Sequence, residues 1–454
     1  MRVSPSADIR VGPAAPGHTA AMQVTGQDEA RAPHRVGGLL WQRNFRLLWT
    51  GESISSIGNA MAVVGVPLLA VTVLHASTFA VAALTAAAYL PWLVIGLPAG
   101  AWVDRLPARP LMISCDVISA LLYASLPVAA WAGVLVIGQV LAVALLAGAV
   151  NVFFATAYQV YLPAIVTAAE LVEGNAKLHG SASVATIAGR SAAGLAAQAV
   201  GAATALLFNG VSFLVSAACL LGIRTGAPRR RPAARTTTVR AEVSQGIRFV
   251  AGDPYLRPLT LYAALANLAY TGNLALVVVF LVRVVGLGPA AVGLLLATGG
   301  IGGVLGALAA RGLAGWLGTA RALLWSALAA GLSGLLIPLT GTGWRTACYV
   351  IGATVVAATV VVAGIIVGSF RQAYCPPEML GRVTASMRFV AFGGIPLGAL
   401  LAGGLGTALG VRNGLWVILA IYALAGALLL TGDIRKDRDL PAAPAAQRAA
   451  APGT

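Results

Sequence analysis

The sequence predicts an all-α polytopic membrane protein with twelve transmembrane helices, arranged as two pseudo-repeated six-helix bundles. Of the 454 residues, 59% are hydrophobic and only 10% are charged, and the mean hydropathy is +0.86. Such a chain is too apolar for an ordinary soluble domain. Its apolar residues are grouped into runs of about 20 residues, which is the length that crosses a bilayer.

The predicted spans fall into two sets of six, separated by a basic segment. They are residues 46–72, 78–101, 111–131, 135–158, 180–199 and 202–223, followed by residues 258–283, 289–310, 321–340, 344–370, 385–408 and 413–432. The predicted organisation is therefore a disordered cytoplasmic tail (1–44), an amino-terminal bundle (45–223), a basic cytoplasmic linker (224–256), a carboxy-terminal bundle (257–432) and a second cytoplasmic tail (433–454). Within the linker, the segment from Val239 to Ala251 has the pattern of an amphipathic helix lying on the membrane surface.

The distribution of basic residues predicts the orientation. Twenty-six of the thirty Lys and Arg residues fall on the side of the tails and the linker, whereas Arg283, Arg345 and Arg412 fall on the other side and Arg190 lies within a span. Cytoplasmic loops carry the excess of basic residues, so both termini are expected in the cytoplasm of a protein of the inner (plasma) membrane. The net charge of +16 then favours contact with anionic lipid headgroups, and we expect no nucleic acid partner. We expect a monomer.

A short charged turn follows the second predicted span. Gly96, Gly100 and Asp104 are spaced by four residues and share one face of a helix, where glycines allow close backbone contact. Arg105 and Arg109 follow at the membrane edge. The pattern predicts a hinge between two helices on the cytoplasmic side. The alternative is a charged turn that only obeys the rule for basic loops.

A second copy of this pattern supports an internal duplication. Gly302, Gly306 and Arg311 repeat the spacing of the first copy, with Ala310 in the position of the acid. Many transporters consist of duplicated bundles with the substrate site between them. The second copy is therefore expected to keep the close packing and to lack the acid.

These features resemble the major facilitator superfamily, and within it the branch of bacterial exporters that includes macrolide-efflux proteins and siderophore exporters. The resemblance covers residues 44–432. Besides the hinge, it rests on Asn44–Trp49 and Ser53–Ser55 in the first span, Asp116 in the third, and the stretch Glu378–Gly398.

The resemblance implies the major facilitator fold, with the hinge acid acting as a latch of the outward-facing state. Two departures concern the direction of transport. Asn59 stands where many relatives have Asp, and the run Gly189–Gly194 lacks the proline of the antiporter signature. Export and uptake therefore both stay open.

Two acidic residues, Glu52 and Asp116, lie inside predicted spans. An ionisable group there is costly and indicates a functional role. Glu52 has no obvious partner and is the preferred proton-coupling candidate, with a purely structural role near the membrane edge as the alternative. Asp116 is the second candidate, and its alternative role is to pair with Arg105 or Arg109.

Further polar side chains in the apolar runs are candidates for a substrate cavity. They are Asn59, Asn151, Tyr158, Gln159, Arg190, Asn209, Asn267, Tyr270, Asn273 and Arg388. Each of them can alternatively hold neighbouring helices together. As a set, they favour a largely apolar cavity with few polar anchors, suited to an amphipathic organic molecule.

The sequence contains no phosphate-binding loop, metal-ligand cluster or nucleophile–His–acid arrangement, so we expect neither a cofactor nor an enzyme. The preferred function is proton-coupled efflux of a hydrophobic or amphipathic small molecule, such as a drug, an antibiotic or a secondary metabolite. Uptake of a small organic solute is the first alternative. A membrane scaffold or sensor that transports nothing is the second.

Overall fold

A computed structural model describes residues 38–103, 105–167, 170–224 and 239–441, and the regular structure within them is entirely helical. The amino-terminal half contains α1 Arg43–Thr72, α2 Thr78–Val94, α3 Gly96–Val103, α4 Ala108–Trp131, α5 Ile137–Ile165, α6 Leu171–Val200 and α7 Ala202–Gly222. The carboxy-terminal half contains α8 Val239–Gly252, α9 Leu256–Val279, α10 Pro289–Leu317, α11 Thr319–Gly334, α12 Thr346–Tyr374, α13 Pro377–Ala408 and α14 Val411–Leu428. One π-helical turn, Phe280–Val284, extends α9.

The predicted class of an all-helical membrane protein is confirmed, although the count of twelve spans is not met in full. Ten helices of the described chain are long and apolar enough to cross a bilayer, and the shorter α2 is also apolar. The span predicted over 78–101 is interrupted at Ile95, because Pro98 has no N–H to donate to the carbonyl of Val94. The span predicted over 180–199 belongs to α6, which begins at Leu171 and includes charged residues in its first two turns.

Apart from α3, which continues α2, and α8 of the linker, successive helices run in opposite directions, so the loops alternate between two ends of the molecule. We name the end where α1 begins and α14 finishes the tail end, and the opposite end the far end. Contacts between neighbouring loops agree with this alternation. At the far end, Arg283 Nη2 donates to the carbonyl oxygen of Ala76 at 2.6 Å, and the backbone N–H of Ala290 donates to Gln198 Oε1 at 3.2 Å.

The hydrophobic core is shared at the far end and divided at the tail end. The far-end core combines side chains of both halves, such as Leu69 and Leu206 with Leu276 and Phe280. At the tail end, one core belongs to the amino-terminal half and includes Phe45, Met112 and Tyr161. A separate core belongs to the carboxy-terminal half and includes Leu259, Leu323 and Ile434. The two halves are therefore joined at the far end.

Glycines make the far-end junction tight. A Cβ atom on Gly194 of α6 would overlap the carbonyl oxygen of Pro289 and lie 2.8 Å from the Cα atom of Gly293 in α10. A Cβ atom on Gly403 of α13 would lie 2.7 Å from the Cβ atom of Ala82 in α2. Larger residues at these positions would separate the helices, so the closed far end depends on glycine.

The structure corrects the role expected of Gly96 in the first hinge. A Cβ atom on Gly96 would meet no atom within 4 Å, because α2 has already ended and α3 starts in open space. The close approach in this half occurs instead between Gly148 of α5 and the backbone of Ala88 in α2. Gly100 lies within α3, and Asp104 lies outside the described residues.

The arginines of the hinge act differently from one another. Arg105 is exposed. Arg109 does not turn back into its own loop, because its Nε and Nη2 atoms each donate at 2.8 Å to the carbonyl oxygens of Leu220 and Leu221. These carbonyls lie in the last turn of α7, where the Leu220 carbonyl accepts only the Ile223 N–H from the backbone, so Arg109 caps α7 and fixes α4 beside it.

In the second hinge copy, both glycines contact a neighbouring backbone. A Cβ atom on Gly302 would overlap the carbonyl of Thr354, and one on Gly306 would overlap the carbonyl of Ala358. These contacts hold α10 against α12. Arg311 is exposed at the tail end of α10.

The segments predicted as tails and linker are partly described. Residues 1–37, 225–238 and 442–454 lie outside the described residues. Within the first predicted tail, Gly38–Trp41 forms a 3₁₀ turn and α1 already begins at Arg43. The helix predicted over 239–251 is present as α8, which packs its Gly246 against the backbone of Arg382.

The start of the second predicted tail is part of the folded carboxy-terminal half. Ile434 is fully buried in the core of that half. Asp439 Oδ1 accepts the backbone N–H of Thr319 at 2.8 Å, and Asp437 Oδ2 accepts the Tyr255 hydroxyl at 2.7 Å. The segment is held because it supplies a buried apolar side chain and caps the first turn of α11.

Candidate functional site

A cavity of about 580 Å³ lies among the helices of the amino-terminal half. Its walls come from α1, α2, α4, α5, α6 and α7, with Leu274 of α9 as the contribution from the other half. The cavity extends from Leu84 and Val140 to Asn175 and His179, which lie near the tail-end start of α6. It therefore begins within the shared far-end core and runs towards the tail end.

Both predicted proton-coupling residues and four of the predicted cavity residues line this cavity. They are Glu52, Asp116, Asn59, Asn151, Tyr158 and Gln159. Arg190, Asn209, Asn267, Tyr270, Asn273 and Arg388 are absent from its described walls. The polar groups of the cavity thus come from the amino-terminal half.

Asp116 is only 1% exposed and is fixed by the neighbouring helix α7. Its carboxyl group accepts a hydrogen bond from Ser216, while its Oδ2 atom has no hydrogen-bond partner in the described chain. The structure therefore corrects the alternative in which Asp116 pairs with Arg105 or Arg109. Arg109 is occupied at the end of α7, and Asp116 points into the cavity instead.

Glu52 lies about two and a half turns into α1. Its Oε2 atom is buried and has no hydrogen-bond partner among the described residues. Glu52 is close enough to Asp116 and to Tyr158 for electrostatic interaction with both. The two salt bridges of the described chain, Lys177–Glu173 and Lys436–Asp433, involve neither carboxyl group.

Aromatic rings form much of the remaining wall. Phe154 and Tyr158 stack with ring centroids 6.4 Å apart, and Tyr123 and Phe213 stack at 5.9 Å. Trp92 also lines the cavity and packs edge-on against Phe392 of the other half. The arrangement offers flat apolar surfaces on either side of two carboxyl groups.

Several lining residues were missed from the sequence. Asn175 and His179 precede the span predicted over 180–199, so the apolar pattern does not include them. The helix α6 begins earlier, at Leu171, and brings both side chains to the cavity. Tyr89, Trp92 and Tyr123 lie in apolar runs, where an aromatic side chain in a cavity wall has the same pattern as one in a core. A predicted helix that started before residue 175 would have included Asn175 and His179.

Asn209 packs between helices and does not face the cavity. It is fully buried, and its Oδ1 atom lies opposite Gly58 of α1, within 2.5 Å of where a Cβ atom would stand. The backbone carbonyl of Asn209 also accepts the Ser212 hydroxyl at 2.7 Å. Asn209 therefore belongs to the contact between α1 and α7.

Arg190 joins the two halves. Its Nη1 atom donates to the carbonyl oxygen of Leu296 in α10 at 3.1 Å, and it lies close enough to Tyr89 and Tyr349 to interact with them electrostatically. This places a charged hydrogen bond across the shared interface. In the described conformation Arg190 thus makes a contact between helices, and its cavity role stays a prediction.

The other predicted polar residues belong to the carboxy-terminal half. Asn273 is 8% exposed within α9, and its Oδ1 atom has no hydrogen-bond partner among the described residues. Asn267 and Tyr270 are half-buried on the same helix. Arg388 is exposed on α13 and lies near Arg371 of α12.

Comparison with known proteins agrees with this architecture. The chain is similar to the multidrug efflux pump Tap of Mycolicibacterium fortuitum, with 28% identity over 370 residues that cover 78% of this chain and 87% of the relative. Two solved structures share the fold. One is the nucleoside transporter NupG, with a TM-score of 0.71 and 11% identity over 87% of this chain and 99% of that chain. The other is a bacterial homologue of the iron transporter ferroportin in an inward-facing state, with a TM-score of 0.68 and 15% identity over 86% of this chain and 98% of that chain.

The family is shown by a match of residues 38–451 to the model of the transmembrane secretion effectors. This match covers all the described helices, including both halves and the cavity. It agrees with the superfamily that the hinge and the duplicated spacing predict. The chain therefore belongs to the transmembrane secretion effector family of the major facilitator superfamily, and it is a multi-pass membrane transporter.

Proposed function

We propose that this transporter exports hydrophobic or amphipathic small molecules in exchange for protons. The observation that carries the proposal is the cavity of about 580 Å³, which combines an apolar and aromatic wall with two carboxyl groups that form no salt bridge in the described chain. Its volume lies within the range of small-molecule sites, roughly 300–1,000 Å³.

The basic residues support a cytoplasmic position for the tail end. In that orientation the described conformation is closed towards the outside and presents its cavity to the cytoplasm. Transport then requires the halves to rock about the cavity, so that the far end opens and the tail end closes. Loading from the cytoplasm or from the inner leaflet is the first step of export.

Glu52 is our candidate for the proton-coupling acid. A buried carboxyl group loses the water that solvates its charge, so the balance between its two protonation states depends on whether the cavity is wet or closed. Glu52 lines the cavity and has an unpartnered oxygen atom. Rocking of the halves can therefore change its protonation, which is what coupling to a proton gradient requires.

The similarity to a multidrug efflux pump supports export over uptake. Uptake would use the same cavity with the opposite direction of net flux. A scaffold without transport activity would leave the buried carboxyl groups without a purpose, since such groups are costly inside a membrane.

Vesicles of opposite orientation test the proposal. Cells that lack or overproduce the protein are first compared for resistance to a panel of antibiotics and lipophilic dyes, and the compound with the largest difference becomes the probe. Proton-driven accumulation of that probe in inside-out vesicles is expected. Accumulation only in right-side-out vesicles would show uptake, and absence of transport in both would contradict the proposal.

A further inference from the structure

We propose that Asp116 makes the cavity selective for amphipathic organic cations. This inference rests on the proposed role as an exporter and names the class of molecule that the same cavity accepts. It assigns the two carboxyl groups different tasks, with Asp116 binding the positive charge of the substrate and Glu52 carrying the proton.

The first argument is the charge of the cavity. Its described walls contain two carboxyl groups and one histidine, His179, and they contain no Lys or Arg. Opposite charges attract more strongly in a partly desolvated cavity than in bulk water. A cation entering this space meets opposite charge, whereas an anion meets repulsion and finds no Lys or Arg side chain in the described walls.

The second argument is the fixed position of Asp116. It is 1% exposed, so its carboxyl group cannot move out to bulk water. The hydrogen bond from Ser216 of α7 orients the group, and the unpartnered Oδ2 atom is left to accept from a ligand in the cavity. A carboxylate with one oxygen atom held and the other unpartnered is arranged to receive an ammonium N–H donor or to stand beside a quaternary cation.

The third argument is the aromatic wall. Tyr158 and Phe154 lie on α5 and Tyr123 lies on α4, the same helix as Asp116. The face of an aromatic ring attracts a cation within about 6 Å, and the attraction grows when the cation is desolvated. The rings also supply apolar surface for the rest of an amphipathic molecule. Carboxyl group and rings together favour a bulky cation over a neutral molecule of equal size.

Arg190 lies close to Tyr89 of the cavity wall, but in the described chain it forms no ion pair with either carboxyl group. It is engaged with the carbonyl oxygen of Leu296 in the junction between α6 and α10, and it is absent from the described cavity wall. The hydrogen-bond partner of the Asp116 carboxyl group is the neutral hydroxyl of Ser216. The positive charge that balances the carboxyl groups is therefore expected to belong to the substrate itself.

Binding of three probes of similar shape tests the inference without any need for transport. Tetraphenylphosphonium is a cation, tetraphenylborate is its anionic counterpart, and triphenylphosphine oxide is neutral. Their dissociation constants are measured by calorimetry on the purified full-length protein at fixed pH and ionic strength. The wild-type protein is expected to bind the phosphonium most tightly.

Three variants separate a specific role from a structural one. Asp116→Asn keeps the shape of the side chain and is expected to weaken phosphonium binding by about tenfold or more, with little change for the neutral probe. Ser216→Ala leaves the charge and removes the positioning hydroxyl, so a smaller loss of the cation preference is expected. Asp433→Asn, which removes an exposed acid far from the cavity, is the control and is expected to bind like the wild type.

Retained binding of the neutral probe shows that Asp116→Asn is folded. The inference is overturned if this variant keeps the wild-type ratio of cationic to neutral affinity, or if the borate binds more tightly than the phosphonium. Either result would leave the exporter proposal intact as long as the vesicles transport a probe. Cation binding that depends on Asp116 in a protein that transports nothing in vesicles would support the inference and contradict the exporter proposal alone.

Discussion

The two ends of the molecule differ in how the two halves contact each other. At the far end, one hydrophobic core spans both halves, and the glycines Gly194, Gly293 and Gly403 let their helices approach at backbone distance. At the tail end, each half has its own core, and the cavity with its two carboxyl groups lies beside them. The difference indicates which contacts must break and which must form when the transporter changes conformation.

The comparison also separates two kinds of residue. Those of the far end act by packing, so their substitution is expected to shift the balance between conformations. Those of the cavity act by charge, so their substitution is expected to change what is bound or coupled. Single substitutions can test this separation, beginning with the one expected to change the conformation most.

Gly194→Val is expected to reduce transport by about tenfold or more and to open the far end. The new side chain would overlap the backbone of α10, and overpacking of this kind costs about 1–3 kcal/mol in the closed arrangement. Distances between spin labels at Val134 and Trp344, exposed positions at the far end of each half, are expected to increase. Electron–electron double resonance in a background without the native cysteines measures them.

Gly180→Val is the matched control for this variant. It lies on the same helix, and a Cβ atom there would meet nothing within 4 Å. The control is expected to retain wild-type label distances and transport. Equal behaviour of the two variants would mean that the glycine contact does not hold the far end closed.

Glu52→Gln is expected to abolish uphill transport while substrate binding and downhill exchange persist. Gln mimics the permanently protonated acid, so the side chain keeps its place in the cavity and can no longer exchange a proton. Transport by proteoliposomes with and without a proton gradient measures the effect. Persistent proton-driven transport would rule out Glu52 and direct attention to Asp116 or to a mechanism without proton coupling.

Glu170→Gln serves as the control for Glu52. Hydrogen bonds from the backbone N–H and hydroxyl of Thr167, and from Gln42, hold the pKa of Glu170 below its usual range. Glu170 therefore carries its charge at neutral pH at the tail end, outside the cavity wall. Neutralising it is expected to leave the coupling between transport and the proton gradient unchanged.

Asp104→Asn is expected to slow turnover several-fold while the protein still inserts in the membrane. The change removes the acid of the first hinge next to Arg105, at the end of the molecule that must close. Asp104 lies outside the described residues, so this prediction follows from the hinge spacing. Transport rates normalised to the amount of membrane-inserted protein measure it. A wild-type rate would mean that the loop serves only to set the topology.

Arg190→Ala is expected to have a smaller effect, because it removes a single charged hydrogen bond across the far end. Water can take over part of this bond, so the net loss is expected to be that of a typical intramolecular hydrogen bond, about 1 kcal/mol. A modest increase in the label distance at the far end is expected, together with a loss of transport of less than about tenfold. Arg345→Ala, at an exposed far-end position, is the control. An unchanged label distance would contradict a joining role for Arg190.

Asp253→Ala is expected to lower stability with the smallest effect on transport. Asp253 accepts the backbone N–H groups of Tyr255 and Leu256 at 2.9 Å each and the Tyr374 hydroxyl at 2.7 Å. Loss of such a helix cap costs about 1–2 kcal/mol. The melting temperature should therefore fall, while Asp433→Ala, which removes an exposed acid, should leave it unchanged. A strong loss of transport at normal stability would contradict a purely structural role for this end of the carboxy-terminal half.

Much of the fold could be predicted from the sequence, because the length and apolarity of a span depend mainly on the bilayer. The errors have local causes. The second span is interrupted where Pro98 removes a backbone donor, and the helix that contains His179 starts earlier than its apolar run. The charged residues around Ile434 predict a tail, because a single apolar residue among charges gives no sign that its side chain is buried.

The candidate site could be predicted only in part. Polar residues in apolar runs are rare enough to be noticed, so Glu52, Asp116 and Asn59 were found. The direction in which each side chain points could not be predicted from the sequence. Successive residues of a helix point about 100° apart, and the rotation of the whole helix against its neighbours decides which of them faces the cavity. Gly58 therefore faces α7 while its neighbour Asn59 faces the cavity.

The sequence by itself determined the membrane class, the positions of most spans, the family resemblance and the presence of two intramembrane acids. These follow from composition, local hydropathy and spacing, which are properties of short stretches. The tertiary structure decided that the far end is closed, that Arg190 joins the halves, and that both acids share one cavity without Lys or Arg in its described wall. The hydrogen bond between Asp116 and Ser216 joins residues that are 100 positions apart in the chain. Such contacts depend on how distant helices rotate and pack against one another, which no single stretch of sequence encodes.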